Sequence, residues 1–533
     1  MLTQSDFPWT QTLETTVFEL AEWSFAEHGS RAALRDVSGS VSYEALGDLV
    51  SEAAASLARN GMGAGSRVAV AMANSRWLVA AYYALQSLGA TVVPTDPGMV
   101  EEEVRRRCSR YGVDMLLSDI RDRSVEAVSF DEHVEQRVLR EGSSEVRPAD
   151  SWAPADALAH LVFTGGTSGM PKAVRVTNDN VVGNVRQMLI WRCGADIVRH
   201  ADGLRVERLD SIASPLVQTS GGTTILVSPL YHAHALVNLT FFLVSGHTVV
   251  FLDRFKPNTM LDLIDEWDAT YITGSPAMFN ALCDVAEKGN WDLTSIRVLS
   301  SGAGPLSPSV HVRCVELFPR ARVVQGYGLT ECTCLVASPP LVEDVSAPIG
   351  SVGLPVVGTE IEVRTPAAEL AASDSGEIWV RGPQVTAGYE AVEEAEALEQ
   401  FRDGWVHTGD LGRFDDEGWL WITGRSKDII IRKGYNVYPA DLEARLQATG
   451  AVQQAAVIGV PHERDGEVPI GFVTRTHGCA MSLEDVKLQV NEDLLPYQRI
   501  DRLVEVAELP LSPAGKIRKS ELRELWAADS TDT

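Results

Sequence analysis

A loop rich in glycine and hydroxyl side chains occupies residues 164–172, with the sequence TGGTSGMPK. Its three glycines free the backbone to turn N–H groups inward, and its three hydroxyl side chains add further donors. These groups favour a nest for phosphate oxygens over an ordinary surface loop. The loop is not a Walker A motif, because Lys172 follows proline and precedes alanine rather than serine or threonine.

A second candidate segment, QGYGLTE at residues 325–331, directly follows a predicted strand. Tyr327 offers a flat face to a base, Thr330 offers a hydroxyl to a phosphate, and Glu331 offers a hard oxygen to Mg²⁺. Taken alone, such a segment is more often a strand-end turn with a surface glutamate.

Further polar segments follow towards the end of the chain: WVHTGD ends at Asp410, GRSKD spans 424–428, KGYN spans 433–436, and LSPAGK spans 511–516. An aspartate at a strand-end turn can accept hydrogen bonds from both hydroxyls of a ribose. A lysine on a proline–glycine turn is usually a solvated surface charge. Random scatter would nevertheless seldom place half of the eight lysines in these few segments: Lys172, Lys427, Lys433 and Lys516.

The composition limits the classes of function. The 533 residues are 45 % hydrophobic and 22 % charged, which supports large cores in roughly two to four domains. The net charge of −27, from 46 basic and 73 acidic residues, disfavours nucleic acids and anionic membranes as partners. The seven cysteines form no C-x-x-C motif, so we expect reduced thiols and a cytoplasmic location. We also expect neither a signal peptide nor a membrane span. Because only eight of the 46 basic residues are lysine, we expect a GC-rich source and a role in bacterial secondary metabolism.

The elements that must position these residues follow an α/β pattern. Short apolar runs alternate with amphipathic segments over 235–325 and again over 41–117, which predicts parallel-rich sheets with helices on both faces. Ligands of such sheets bind at loops after the carboxyl ends of strands. Residues 193–222 show no clear periodicity and are predicted to form a loop or lid. We expect a large domain over 1–423 with a β-rich subdomain from about 345, a hinge over 424–428, and a small mobile α+β domain over 429–533.

In their order and spacing, these segments resemble the motifs of the adenylate-forming superfamily, which includes acyl-CoA synthetases, aryl-CoA ligases, beetle luciferases and peptide-synthetase adenylation domains. The resemblance extends from about Thr16 to Leu525. It implies that ATP, Mg²⁺ and coenzyme A are bound, and it assigns a role to each motif. The nucleotide would be bound by Thr164, Gly165, Gly166, Thr167, Ser168, Gly169, Lys172, Gly302, Ala303, Gly304, Gln325, Gly326, Tyr327, Gly328, Asp410, Ile422 and Arg425.

The same resemblance implies the remaining roles. Glu331 and Thr167 would ligate Mg²⁺, and Thr330 would contact the α-phosphate. Lys516 would bridge the substrate carboxylate and that phosphate, while Lys427 would be the hinge. CoA would meet a second face of the small domain at Lys433, Gly434 and Tyr435.

The implied reaction brings a carboxylate to an α-phosphate, and only preorganised positive charge makes that approach of two anions tolerable. The acyl-AMP product then acylates a thiol, after the small domain has rotated about the hinge.

The acid substrate is partly defined by the segment PLYHAH at 229–234, which matches the family segment lining the acid pocket. Residues 211–252 contain no acid that could pair with an α-ammonium group, so we expect a carboxylic acid without one. The pocket residues are expected to be mainly apolar and to accept an aliphatic or aromatic acid: Tyr231, His232, Met278, Ala303 and Cys332. His232 is also a candidate catalytic residue.

The phosphate loop departs from the family pattern, since Gly165 replaces serine, Ser168 replaces threonine and Ala173 replaces glycine. A lost phosphate donor is worth on the order of 1–3 kcal/mol when buried. Three alternatives to a CoA ligase therefore stay open: an acyl-AMP ligase that loads a carrier protein, a biosynthetic ligase that mainly forms thioesters from supplied acyl-AMP, and a nucleotide-binding protein without activity. Both a monomer and a homodimer are compatible with the sequence.

Overall fold

The structure is a computed structural model of the chain. The residues that it describes are 9, 13–119, 134–138, 154–164, 171–212, 214–364, 375–392, 399–462, 464–476, 478–511 and 517–530.

The sheet that carries the candidate motifs has seven strands in the order β15-β14-β13-β11-β12-β1-β2, and only β2 runs antiparallel to its neighbour. Most of its strands are short, almost fully buried and rich in β-branched residues, as a covered parallel sheet requires. The strands are β1 (Ala32–Asp36), β2 (Gly39–Ser42), β11 (Thr223–Leu226), β12 (Thr248–Phe251), β13 (Tyr271–Gly274), β14 (Val298–Ser301) and β15 (Arg322–Gln325).

Helices cover this sheet on both faces. One face packs on α6, which is almost entirely buried, and the other face forms a separate apolar cluster with α7, α8 and α9. Proline at the first turn starts α7, α8 and α9, where its missing N–H costs nothing. The helices are α6 (Ala233–Val244), α7 (Pro257–Glu266), α8 (Pro276–Ala286) and α9 (Pro308–Leu317). The helix–strand alternation predicted for 235–325 is confirmed.

A second seven-stranded sheet has the order β20-β8-β7-β4-β3-β5-β6 and mixes parallel and antiparallel pairs. Its strands are β3 (Arg67–Ala71), β4 (Thr91–Pro94), β5 (Met115–Asp119), β6 (Val134–Val138), β7 (Leu158–Phe163), β8 (Ala173–Thr177) and β20 (Tyr389–Glu390). The helices of this half are α1 (Val17–His28), α2 (Tyr43–Arg59), α3 (Arg76–Ser87), α4 (Glu101–Arg110) and α5 (Asn178–Met188). The alternation predicted over 41–117 is confirmed as well.

Residues 193–222 are predicted to form a loop or lid, and this prediction is wrong for 195–208, which form a hairpin. A π-helical turn, Leu189–Cys193, leads into an antiparallel hairpin of β9 (Ala195–His200) and β10 (Gly203–Arg208). The hairpin buries few apolar side chains, which is why its period-two pattern is weak in the sequence.

Short strands make up the region after residue 335. β18 (Glu360–Arg364), β19 (Gly376–Arg381), β21 (Phe401–Arg402), β22 (Trp405–Phe414) and β23 (Leu420–Arg425) form one antiparallel sheet, and β16 (Ala337–Ser338) pairs with β17 (Leu354–Pro355). These strands agree with the β-rich texture expected there.

The last hundred residues pack around two apolar clusters of their own. Their sheet contains β24 (Ile430–Arg432), β25 (Tyr435–Val437), β26 (Val452–His462), β27 (Gly466–Arg475) and β28 (Arg502–Glu505). Their helices are α10 (Pro439–Ala448), α11 (Leu483–Glu492) and α12 (Lys519–Ser530). In the part of the chain that the structure describes, no helix has the length and apolar character needed to cross a bilayer.

Candidate functional site

Four adjacent parallel strands end at the same edge of the first sheet. Gly274, Ser301 and Gln325 pair in register at the ends of β13, β14 and β15, with β11 beside them. The loops that follow these strands therefore meet at one edge. They hold four of the sequence-predicted segments: 229–232, 275–278, 302–304 and 326–331.

The loop at 302–304, which the resemblance assigns to nucleotide binding, is open on one side. The N–H of Gly302 donates to the carbonyl of Gly274 at 3.0 Å, and the N–H of Gly326 donates to the carbonyl of Ser301 at 2.9 Å. A side chain added at Gly302 would meet no atom within 4 Å. Ala303 holds a left-handed φ of +68°, which turns the loop away from the strand. The loop thus leaves space for a flat ligand beside its backbone.

Gly328, in contrast to Gly302, is closely surrounded by other atoms. A Cβ atom there would lie 1.7 Å from the carbonyl oxygen of Cys334, so only glycine fits. Gln325, the last residue of β15 and three residues before Gly328, accepts a hydrogen bond from the N–H of Leu306 at 2.6 Å, which connects the two loops.

A buried carboxylate joins three of the predicted nucleotide residues. Asp410 is 6 % exposed; its Oδ2 accepts from the Tyr327 hydroxyl at 2.7 Å, and its Oδ1 lies 2.9 Å from Nε of Arg425. Asp410 and Arg425 pair across β22 and β23, so the backbone sets their separation. Burial and the Asp410 charge raise the pKa of the Tyr327 hydroxyl, which stays a donor. Ile422, on the same strand as Arg425, packs against the apolar cluster that contains Tyr327.

The glutamate predicted to bind Mg²⁺ is held by a residue that the sequence reasoning missed. Glu331 lies in a 3₁₀ turn, Thr330–Cys332, and its Oε1 lies 2.8 Å from the Tyr389 hydroxyl, which also lies 2.6 Å from Oε1 of Gln400. Lys172 Nζ lies 4.8 Å from the centre of the Tyr389 ring. Tyr389 pairs with Val174 next to the phosphate loop, so this single side chain connects the loop to Glu331.

The Glu331 carboxylate fits a magnesium ligand. Among the described residues, the hydroxyl of Tyr389 is its one side-chain partner, which leaves the second oxygen for an ion. In the described ranges, no group of three or more acidic, histidine or cysteine side chains is arranged to hold a metal ion. Mg²⁺ typically takes one or two carboxylates and completes its shell with water and substrate phosphates, so a single glutamate is the expected kind of site.

The phosphate loop is closed at its base, where the N–H of Thr164 donates to the carbonyl of Lys172 at 3.0 Å. The antiparallel strands β7 and β8 bring these two residues together. Five of the site residues predicted from this loop lie outside the described residues: Gly165, Gly166, Thr167, Ser168 and Gly169. The catalytic candidate Lys516 lies outside them as well.

Three of the residues predicted for the acid pocket lie in the segments that follow the carboxyl ends of β11 and β13: Tyr231, His232 and Met278. The rings of Tyr231 and His232 lie 4.5 Å apart, and His232 caps the start of α6. Burial, with the charge and hydrogen bond of Asp96, raises the pKa of Tyr231 to about 12. Met278 packs so closely on Gly274 that a Cβ there would lie 1.6 Å from its Cε.

Cys332 belongs to a different neighbourhood. It is fully buried in the apolar cluster of Tyr327, whereas Met278 packs in the cluster under α8. Burial raises the pKa of the Cys332 thiol well above its usual value, which makes this side chain an uncharged wall rather than a nucleophile.

The predicted hinge and CoA residues are exposed by comparison. Lys427 lies in a short 3₁₀ turn, Ser426–Asp428. Lys433 and Gly434, with φ of +54° and +82°, form the two-residue turn between β24 and β25. Tyr435 follows this turn; its ring stacks on Tyr497 at 4.5 Å, yet the residue is 57 % exposed.

Comparison with known proteins agrees with this arrangement. The model of the AMP-binding enzyme family matches residues 21–390, and the model of the AMP-binding enzyme C-terminal domain matches residues 441–516. The chain therefore belongs to the AMP-binding enzymes of the adenylate-forming superfamily, and the resemblance seen in the sequence is confirmed.

Named relatives and solved structures extend over most of the chain. A 4-coumarate–CoA ligase-like protein of Oryza sativa subsp. japonica is 32 % identical over 83 % of this chain and 74 % of its own. Another rice protein, 4-coumarate–CoA ligase 3, is 29 % identical over 96 % and 93 %. ATP-bound MatB from Rhodopseudomonas palustris aligns with a TM-score of 0.81 at 26 % identity over 96 % of this chain and 99 % of that one. The o-succinylbenzoate CoA synthetase of Bacillus subtilis, with its acyl-adenylate, aligns with a TM-score of 0.78 at 25 % identity over 96 % and 99 %. The predicted α/β fold class is confirmed.

Proposed function

We propose that this chain is an ATP-dependent acid–thiol ligase that forms an acyl-AMP and then the CoA thioester. The observation that carries the proposal is the convergence of the Tyr327–Asp410–Arg425 group and Glu331 on the strand-end loops of one sheet. CoA ligases among the relatives support the same reaction. ATP with Mg²⁺ is bound by one structural relative, o-succinylbenzoate CoA synthetase, at 25 % identity.

Different residues at this edge of the sheet bind different parts of the nucleotide. Asp410 accepts from the ribose hydroxyls, and Tyr327 covers the base beside the open loop at Gly302. Thr330 donates to the α-phosphate, while Lys172 and the loop that it closes hold the outer phosphates. Glu331 would hold Mg²⁺, which supplies charge neutralisation for the phosphates when it is bound.

The acid substrate has no α-ammonium group in this proposal, because no acidic residue lies in 211–252 around the pocket segment. Its body meets mainly apolar side chains at Tyr231, Met278 and Ala303. Lys516 holds the reacting carboxylate against the α-phosphate. Rotation of the small domain about Lys427 then replaces Lys516 with the Lys433–Tyr435 face, where CoA enters.

The reaction is tested by incubating the protein with ATP, a panel of acids, and either CoA or a phosphopantetheinyl carrier protein. AMP release with a CoA thioester is expected for at least one acid. A thioester formed on the carrier alone would support the carrier-loading alternative, and absence of AMP with every acid would contradict the ligase assignment.

The role of Lys516 is tested separately. Lys516→Ala is expected to lower acid-dependent ATP–pyrophosphate exchange by at least ~10³-fold, because the charge that joins two anions is lost. Thioester formation from supplied acyl-AMP is expected to persist within a few-fold. Lys487→Ala, on the surface of the same domain, is the matched control. Exchange at full rate in Lys516→Ala would show that another residue does this work.

A further inference from the structure

A buried arginine, Arg192, contacts α6 behind the predicted acid-pocket segment and has no ionic partner in the part of the chain that the structure describes. Arg192 is 4 % exposed, and its Nη1 donates to Oδ1 of Asn238 at 3.0 Å. Its guanidinium carbon lies 4.9 Å from the ring centre of Phe241 and 5.6 Å from that of Tyr271. Within the described residues, no carboxylate forms a salt bridge with Arg192, and Asn238 is its one side-chain hydrogen-bond partner.

Arg186, six residues earlier on the adjoining helix, is a buried arginine whose charge is compensated by a carboxylate. It is 3 % exposed, and its Nε and Nη2 lie 2.9 Å and 2.7 Å from the two carboxylate oxygens of Asp196. A buried charge without a partner costs several kcal/mol. The other nitrogens of Arg192 are not among the enclosed polar atoms that lack a partner, so they border accessible space. A guanidinium in this position is suited to an anion that arrives with a ligand.

The position of Arg192 relative to the pocket follows from two regular elements. His234, Asn238 and Phe241 lie on one face of α6, with spacings of four and three residues. Tyr271 and Thr273 point to one face of β13. His234 Nε2 lies 3.2 Å from Thr273 Oγ1 near the carboxyl end of β13, and this level is taken as the mouth of the proposed acid pocket.

Arg192 lies one layer below that mouth, between Asn238 and Tyr271. One helical turn separates the two layers by about 6 Å. The Asn238 amide also donates to the His234 carbonyl at 2.7 Å and lies 3.7 Å from the Cys334 sulfur, close to the loop that carries Thr330.

We propose that Arg192 receives a second carboxylate at the far end of the acid substrate, so that the substrates are dicarboxylic acids with an apolar body. The inference rests on the ligase function proposed above and refines its substrate class. Six residues separate His232, the N-cap residue of α6, from Asn238, a rise of about 9 Å along the helix, so a substrate that reaches from the pocket segment to Arg192 has a body of about this length. The second carboxylate pairs with the free edge of the guanidinium, as arginine does bidentately, and Asn238 holds the other edge. The apolar walls at Tyr231 and Met278 then contact only the middle of the molecule.

The test compares matched acids that differ at the far end: heptanedioic against heptanoic acid, and 4-carboxycinnamic against 4-methylcinnamic acid. The wild-type protein is expected to use the diacid at least tenfold better in kcat/KM for AMP release. Arg192→Met is expected to abolish this preference while activity with the monoacids is retained or improved. Arg186→Met removes an arginine of similar burial and is expected to leave the acid preference unchanged, whatever it does to stability.

A melting measurement gives a readout that does not depend on turnover. With ATP present, the diacid is expected to raise the Tm of the wild-type protein more than the monoacid does, and this difference disappears in Arg192→Met. If Arg192→Met does not fold, the inference is tested by the acid preference of Arg192→Lys and by that of the wild-type protein. A wild-type preference for monoacids, or a diacid preference that survives loss of Arg192, would overturn the inference. Absence of AMP with all acids would instead contradict the ligase function, and the melting shifts would still decide the anion site.

Discussion

The nucleotide side and the thiol side of the proposed site differ in how far the protein organises them before a ligand binds. Asp410 and Tyr327 are 6 % and 9 % exposed, and each is held by hydrogen bonds from neighbouring strands. Tyr435 is 57 % exposed, and the Lys433 side chain is 58 % exposed on a two-residue turn. A preformed site suits the step that must stabilise charge, whereas an exposed face suits a group that is presented by domain movement.

In the comparison of these two sides, the larger effect is expected at Asp410 on the nucleotide side. Asp410→Ala removes the proposed acceptor for two ribose hydroxyls and leaves Arg425 without its carboxylate, and a hydrogen bond to a charged group contributes about 1.5–3 kcal/mol. We expect kcat/KM for ATP to fall at least ~10²-fold, measured by pyrophosphate exchange. Asp403→Asn, on an exposed turn, is the control. An ATP dependence unchanged by Asp410→Ala would remove the ribose assignment.

A smaller effect is expected at Tyr389, which in this proposal positions the metal ligand Glu331 without contacting substrate. Tyr389→Phe keeps the ring under Lys172 but deletes the hydroxyl that donates to Glu331. We expect the Mg²⁺ concentration for half-maximal exchange to rise about fivefold, because one hydrogen bond is worth roughly 1 kcal/mol. A merely structural role would lower the Tm and leave the Mg²⁺ dependence as it was.

On the thiol side, Tyr435→Ala is expected to raise the KM for CoA several-fold and to leave pyrophosphate exchange unchanged. The reason is that an exposed ring, stacked on Tyr497 on one face only, acts by contact and not by organising the strand-end loops. Lys487→Ala again serves as the control on the same domain. A loss of exchange in Tyr435→Ala would mean that the two sides are not separable.

The last effect concerns stability instead of turnover and comes from a buried histidine remote from the proposed chemistry. Burial lowers the pKa of His247 to about 4, against 6.5 in an unfolded chain. Between these values the unfolded state binds more protons, so the free energy of unfolding falls as the pH falls from 6.5 to 4. The shift corresponds to on the order of 3 kcal/mol. Denaturant unfolding of His247→Gln should show a flatter pH dependence over this window, and His462→Gln, at the surface, should not.

Much of this account was readable in the sequence, since periodicity predicts the strands and helices of the first sheet and motif order predicts the family. The hairpin at 195–208 was missed, because its strands bury few side chains. Tyr389 was missed because its role depends on pairing with β8, more than two hundred residues earlier. Arg192 was missed because the absence of a salt-bridge partner is visible only once Asn238, Phe241 and Tyr271 surround it. Contacts between distant segments leave little trace in one sequence.

Product stoichiometry tests the central claim most directly. With an accepted acid, ATP, Mg²⁺ and CoA, we predict one AMP and one pyrophosphate for each thioester formed, with acyl-AMP accumulating when CoA is omitted. Release of ADP, or thioester formation without AMP, would contradict an adenylate-forming reaction at the edge of this sheet.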